Sequence, residues 1–168
     1  MAKKPKRSLL STLIIVGEGA HEKAFLSHLK ALYSANTDQK VKIDSADGGS
    51  PQDIVRTAVK KSRHIDYDRK FILMDSDIAV DEITKKLAKD NNITIILSEP
   101  LCLEGMLLNL LGVNVPDTSK KCKTLLHPKL DGNPAEKKSY VKLIDKELLE
   151  SSDLEQIVIL LKIVQNIK

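Results

Sequence analysis

The chain reads as an α/β protein, a mostly parallel sheet with helices on both faces, and three features predict it. Apolar runs alternate with amphipathic helical stretches over roughly the first 110 residues. The runs Leu13-Ile14-Ile15-Val16 and Phe71-Ile72-Leu73-Met74, and residues 93–97, are continuous rather than alternating, as in strands buried on both faces. Glycines or capping residues punctuate the passage from each run to the helix behind it.

Residues 1–8 form a basic arm carrying Lys3, Lys4, Lys6 and Arg7. The first apolar run is the first strand, and Gly17 and Gly19 permit a tight turn after it. Phe25, Leu29, Leu32 and Tyr33 recur at i, i+4, i+7 and i+8, which predicts a helix covering the sheet. A short second strand is expected at 41–43, broken by Gly48-Gly49. Ser50-Pro51-Gln52-Asp53 is a helix start, with Ser50 as cap, Pro51 at the first helical position and Asp53 in the first turn. Ile54, Val55, Ala58 and Val59 make the stripe of that helix. The strand at 71–74 leads through Asp75-Ser76-Asp77 into a helix with Val80, Ile83 and Leu87 on one face, ending near Asn91-Asn92. After the strand at 93–97, Ser98-Glu99-Pro100 is expected to start a helix with almost no polar face, ended by Gly112. Residues 113–134 read as loop, punctuated by Pro116, Pro128, Gly132 and Pro134. Two helices, near 135–150 and 153–167, follow. The second is apolar through Ile157, Ile159, Leu160, Leu161, Ile163 and Val164, and packs on the sheet or on a partner. The expected organisation is the arm followed by one domain over 9–168, with a core at 9–111 and a helical extension at 112–168.

Composition narrows the function classes. With 42% hydrophobic and 30% charged residues the chain can bury one core. No apolar run approaches a membrane span, and the lysine-rich start lacks the apolar stretch of a secretory signal, so a cytoplasmic protein with no membrane partner is expected. Cys102 and Cys122 follow no zinc spacing. The formal net charge is +4, with Lys120, Lys121, Lys123 and Lys129 clustered and a looser continuation to Lys137 and Lys138. These lysines, with the N-terminal arm, are either solvated surface or contacts to the phosphates of a polyanion. With no Trp, three Tyr and two Phe, any nucleic-acid binding would be electrostatic and sequence-independent.

Acidic residues at strand ends carry the chemical reading. Glu18 follows the first strand, and Asp75 and Asp77 follow the strand at 71–74, so all three can meet at the C-terminal edge of a parallel sheet. Converging carboxylates repel unless a cation sits among them, and the simplest is a hard divalent ion, Mg²⁺ or Mn²⁺. In an extended segment residues i and i+2 face alike, which would turn Asp75 and Asp77 toward one ion. The alternative is that Ser76 or Asp77 merely caps the next helix. Glu104 interrupts a helix expected to be buried, where it needs a cation or a structural ion pair. Glu22 lies one helical turn after Glu18 and is expected to support the metal ligands, while His21 is either exposed or a proton-transfer or phosphate contact. Ser50, at a glycine-preceded helix start, is either a cap or a phosphate contact. Neither GxxxxGK followed by Ser or Thr nor GxGxxG occurs, so ATP hydrolysis by this chain is not expected.

The ordered segments Val16-Gly17-Glu18-Gly19-Ala20-His21-Glu22, Gly49-Ser50-Pro51, Asp75-Ser76-Asp77 and Ser98-Glu99-Pro100-Leu101-Cys102-Leu103-Glu104 resemble the RloB-like proteins of bacteria and archaea, whose compact Toprim-type domains share an acidic pattern with topoisomerases, primases and overcoming-lysogenization-defect nucleases. The resemblance implies a Rossmann-like fold in which Glu18, Asp75 and Asp77 coordinate Mg²⁺ and Glu104 is the later glutamate. Leu103 and Gly105-Met106 stand where the family carries aromatic residues. Downstream, Lys138, Tyr140 and Lys142 are the candidates for the family's basic and aromatic positions. The family also implies a defence or restriction-linked setting with an ATPase partner. The expected function is therefore a Mg²⁺- or Mn²⁺-dependent nuclease in which Glu18, Asp75, Asp77 and Glu104 are catalytic and Ser50, Lys120, Lys121, Lys123 and Lys138 contact nucleic acid. The alternative is a non-catalytic Toprim-like module that binds an ATPase, or a second copy of itself, through its apolar C-terminal helix.

Overall fold

A computed structural model describes residues 10–168; the basic arm, Lys3, Lys4, Lys6 and Arg7 included, lies outside the described residues. The expected α/β architecture is present. Strands β1 (Ser11–Gly17), β2 (Gln39–Ser45), β3 (Arg69–Asp75) and β4 (Ile93–Ser98) form one parallel sheet in the order β2-β1-β3-β4. The chain leaves β1 toward β2 and then returns across β1 to β3. The order therefore reverses between β1 and β3, and ligands of open α/β sheets bind outside the strand C-termini at such a reversal.

That reversal also distributes the helices. Helix α1 (Ala20–Tyr33) covers one face of the sheet, while α2 (Pro51–Ser62) and α3 (Glu82–Asp90) cover the other. Alternate strand residues supply the two cores, as a period of two requires. Leu13, Ile15, Val41, Leu73 and Ile96 pack with Phe25 and Leu29 of α1; Ile14, Val16, Ile72 and Met74 pack with Ile54, Val55 and Ala58 of α2. Each wholly buried Leu or Ile contributes about 1.5–3 kcal/mol. Ser50 caps α2 as its sequence predicts, accepting from the Asp53 amide at 3.2 Å.

Four elements depart from their sequence patterns. Asp81 caps α3 by accepting from the Thr84 amide at 2.7 Å, so the helix starts late and buries Thr84 and Ala88, leaving Ile83 69% exposed. Helix α4 (Leu103–Leu110) begins not at 98–100 but after Leu101, whose φ of 67° is incompatible with a helix. The Leu101 carbonyl accepts instead from the amides of Ser76 and Asp77, at 3.0 and 2.9 Å. The expected loop at 113–134 contains α5 (Ser119–Leu126), capped by Thr118 and held by the buried pair Cys122 and Leu126. Finally, the helix expected at 135–150 is a 3₁₀ turn, Lys137–Tyr140, and a short α6 (Lys146–Glu150) restarted by an Asp145 cap.

Helix α7 (Glu155–Val164) turns Ile157, Leu160, Ile163 and Val164 into the core that α1 and α4 share. Residues beyond 112 thus complete one face of the sheet rather than stand apart from it. No helix of the described residues is long and apolar enough to cross a membrane.

Candidate functional site

The ends of β1 and β3 are adjacent, with Gly17 paired to Leu73, and the chain bonds across them immediately afterwards. The Glu18 amide donates to the Leu73 carbonyl at 2.9 Å, and the Gly48 amide donates to the Glu18 carbonyl at 2.8 Å. Helix α1 then starts in close contact with the strand end. A Cβ on Gly17 would stand 2.7 Å from the Glu22 Cβ and 2.9 Å from the Lys23 nitrogen, so only glycine permits this approach. Glu18 and Glu22 are thereby brought to the mouth of β3, where Asp75 ends the strand.

Each of these three carboxylates is anchored by one oxygen to a backbone amide. Glu18 Oε2 accepts from the Asp75 amide at 2.8 Å, Glu22 Oε2 from the Gly19 amide at 2.8 Å, and Asp75 Oδ1 from the Leu103 amide at 3.0 Å. Among the described residues the second oxygen of each receives no donor from another residue, and no lysine or arginine forms an ion pair with them. All three line one cleft of about 240 Å³, with His21, Gly48 and Lys123.

The electrostatics follow. Burial, then the charges of Glu22 and Glu18, push the Asp75 carboxyl from 3.8 up to about 8. Burial, reinforced by Glu104 and Glu18, also raises Glu22 against the hydrogen bonds that favour its charged form. Lys123 is the cation facing this charge: burial disfavours its ammonium, but Glu104, Asp75 and Glu22 outweigh it and raise its pKa. Carboxylates are the oxygen donors that Mg²⁺ and Mn²⁺ take, but among the described residues it is His21, Glu104 and His127, not these three, that bring one ligand atom each within 4.8 Å of one another.

Asp77 stands apart from this group. It is exposed, and its Oδ2 accepts from the Ser119 hydroxyl at 2.6 Å. Strand β3 ends at Asp75, and the bend of Ser76 and Asp77 onto the Leu101 carbonyl removes the extended geometry that would have aligned the two aspartates. Neither Ser76 nor Asp77 caps α3, a role taken by Asp81. The Ser76 hydroxyl donates to the Ser98 carbonyl at 2.7 Å.

Glu104, in the first turn of α4, is 1% exposed. Its partners are two histidines rather than a lysine or arginine. Its Oε1 lies 3.0 Å from His21 Nδ1 and 2.8 Å from His127 Nε2, while its Oε2 is buried without a hydrogen-bond partner. Burial pushes the Glu104 carboxyl up, but the bonds from His127, its own backbone and His21, with the charge of Lys123, outweigh it and hold the group below the ordinary range. The two imidazoles meet edge to face, their centroids 5.0 Å apart.

The other candidate residues are dispersed. Lys120 and Lys123 line a second cleft of about 510 Å³ with Thr124 and His127, so Lys123 borders both clefts. Lys121 pairs with Asp117 at 2.7 Å, Lys138 with Glu136 at 2.8 Å, and Lys142 with Asp131 at 2.6 Å. The Ser50 hydroxyl donates to Asp53 Oδ2 at 2.6 Å within its cap. Tyr140 is buried, donating to the Pro134 carbonyl at 2.6 Å. His127 was not legible as a site residue, because it contacts Glu104 only through the fold of α5. The one local signal is Pro128 behind it, which marks the helix end that fixes its position.

Comparison with protein-family models, with curated proteins and with solved structures finds no match to this chain.

Proposed function

We propose that the chain is a metal-dependent phosphodiesterase that cleaves nucleic acid, with Glu18, Glu22 and Asp75 holding Mg²⁺ or Mn²⁺. One observation carries this reading: three carboxylates, each fixed by a backbone amide through one oxygen, line one cleft, and among the described residues no lysine or arginine forms an ion pair with any of them. A structural cluster gains nothing from such repulsion, whereas a cation site requires it. Glu22 takes the place in this set that sequence spacing gave to Asp77.

When bound, the cation supplies Lewis-acid stabilisation of charge developing on phosphoryl oxygens and makes a water acidic enough to attack. The chain supplies the rest. Before the cation binds, burial and the charges of Glu22 and Glu18 push Asp75 up to about 8, and burial also raises Glu22. Lys123, between the two clefts, meets a phosphate, and Lys120 extends that positive edge. Contacts of this kind bind any sequence and weaken with salt. The ordered motifs resembling RloB-like Toprim proteins favour the same reading and would set it in bacterial or archaeal defence, in the cytoplasm. The alternative, an ATPase-binding module, has less support, because α7 turns Ile157, Leu160, Ile163 and Val164 into the core and leaves Ile159 exposed.

The test is cleavage of labelled single- and double-stranded DNA and RNA with Mg²⁺ or Mn²⁺, comparing the parent with Glu18→Gln and Asp75→Asn. Cleavage by the parent, lost in both folded variants, is the expected result. Cleavage that survives both substitutions, or none by the parent on any substrate, would sink the proposal.

A further inference from the structure

We infer that His21, Glu104 and His127 form a second metal site, selective for a first-row transition ion such as Zn²⁺, distinct from the Glu18, Glu22 and Asp75 group. His21 Nδ1, Glu104 Oε1 and His127 Nε2 all lie within 4.8 Å of one another. Ligand atoms around a tetrahedral zinc, at 2.0–2.1 Å from the ion, stand about 3.3 Å apart. The observed contacts from Glu104 Oε1, 3.0 Å to His21 and 2.8 Å to His127, need open by only a few tenths of an ångström to admit the ion.

A second observation points to a ligand. Glu104 is 1% exposed, yet both imidazoles address the same oxygen and leave Oε2 buried with no partner. A buried carboxylate oxygen without a donor is costly, and a cation on this carboxylate removes that cost. The histidine side chains are 32% and 28% exposed, so an ion has a route in from solvent. They also border different clefts, His21 the acidic one and His127 the one lined by lysines.

Donor chemistry sets the metal class. Two imidazoles with one carboxylate suit Zn²⁺ and its neighbours, whereas Mg²⁺ prefers oxygen alone. Three protein ligands leave a coordination position for water or a phosphate oxygen, as in hydrolytic zinc centres. Binding requires each ligating nitrogen to present its lone pair, which a neutral imidazole does by carrying its proton on the other ring nitrogen. The inference goes beyond the phosphodiesterase reading and stands without it.

The test uses Co²⁺ as an optical probe and Zn²⁺ in calorimetry on the metal-stripped full chain. Expected are one tightly bound equivalent of Zn²⁺ and the intense visible ligand-field band of four- or five-coordinate Co²⁺, displaced by Zn²⁺. Outer partners of metal ligands already cost 10–100-fold when removed, so His21→Ala and His127→Ala, both at partly exposed positions, should each weaken binding by about 100-fold or more. Glu18→Gln should leave the band unchanged, which separates this site from the carboxylate cleft. No band and no binding heat in the parent, binding that survives either histidine substitution, or a band abolished by Glu18→Gln would overturn the inference and leave His21, Glu104 and His127 as a hydrogen-bonded cluster. Cleavage lost in Glu18→Gln while Co²⁺ binding fails would refute this site alone.

Discussion

Asp75→Asn should stabilise the metal-free protein, increasingly so as pH rises. The Asp75 carboxyl ionises at 3.8 in an unfolded chain but is pushed up to about 8 in the fold, first by burial and then by Glu22 and Glu18. Between those values the folded state holds a proton that the unfolded state has released, so stability falls as pH rises, and the penalty is complete above about pH 8. At about 1.4 kcal/mol per pH unit the ceiling is about 6 kcal/mol. Solvent at the cleft mouth, and the sharing of protons with Glu22 and Glu18, bring the expected effect to about 2–3 kcal/mol. Asparagine cannot ionise, and its side-chain oxygen still accepts the bond that the Leu103 amide gives to Asp75 Oδ1 at 3.0 Å. Urea unfolding in a chelator should therefore show the variant gaining about 2 kcal/mol over the parent between pH 5 and pH 9. Mg²⁺ at pH 8 should reverse the order, because a ligand at about 1,000 times its Kd adds about 4.1 kcal/mol only where it binds. A stability difference that does not change with pH would refute the electrostatic reasoning.

Three further changes probe separate parts of the account. Gly105→Ala drives a Cβ into the Pro100 carbonyl oxygen under α4, and should cost about 1–3 kcal/mol or more, read as a fall in Tm by circular dichroism. Asp77→Ala removes an exposed group bonded only to the Ser119 hydroxyl; stability should change by about 1 kcal/mol at most and cleavage should persist, whereas a loss as deep as that of Asp75→Asn would return Asp77 to the metal. Lys123→Gln should lower the slope of log K against log salt for nucleic-acid binding by about 1, without sequence preference; an unchanged slope would remove Lys123 from the phosphate path.

Much of this fold is legible in the chain because its central strands β1 and β3 are buried on both faces, whereas residues 93–97, read alike, form the edge strand β4 with Thr94 exposed. Leu13 to Val16 and Phe71 to Met74 could only be central strands, and Ser50-Pro51 with Asp53 could only open a helix. The carboxylates Glu18 and Asp75 followed, since strand ends at a topological reversal converge whatever the loops do. The misses share one cause, local patterns overruled by distant contacts. Asp75 and Asp77 would face one ion in an extended chain, but the Leu101 carbonyl captures both following amides and turns Asp77 toward Ser119. Helix α5 hides because Cys122 and Leu126 are its only buried residues, set among lysines that read as solvated loop. His127 reaches Glu104 through that unread helix, and no periodicity links it to His21.

The most direct measurement is a crystal structure of the full chain soaked in Mn²⁺, with anomalous scattering used to locate the ion. A peak is expected in the cleft bounded by Glu18, Glu22 and Asp75, absent from Asp75→Asn crystals soaked alike. Mn²⁺ bound elsewhere with that cleft empty, or a peak there undiminished by the substitution, would contradict it.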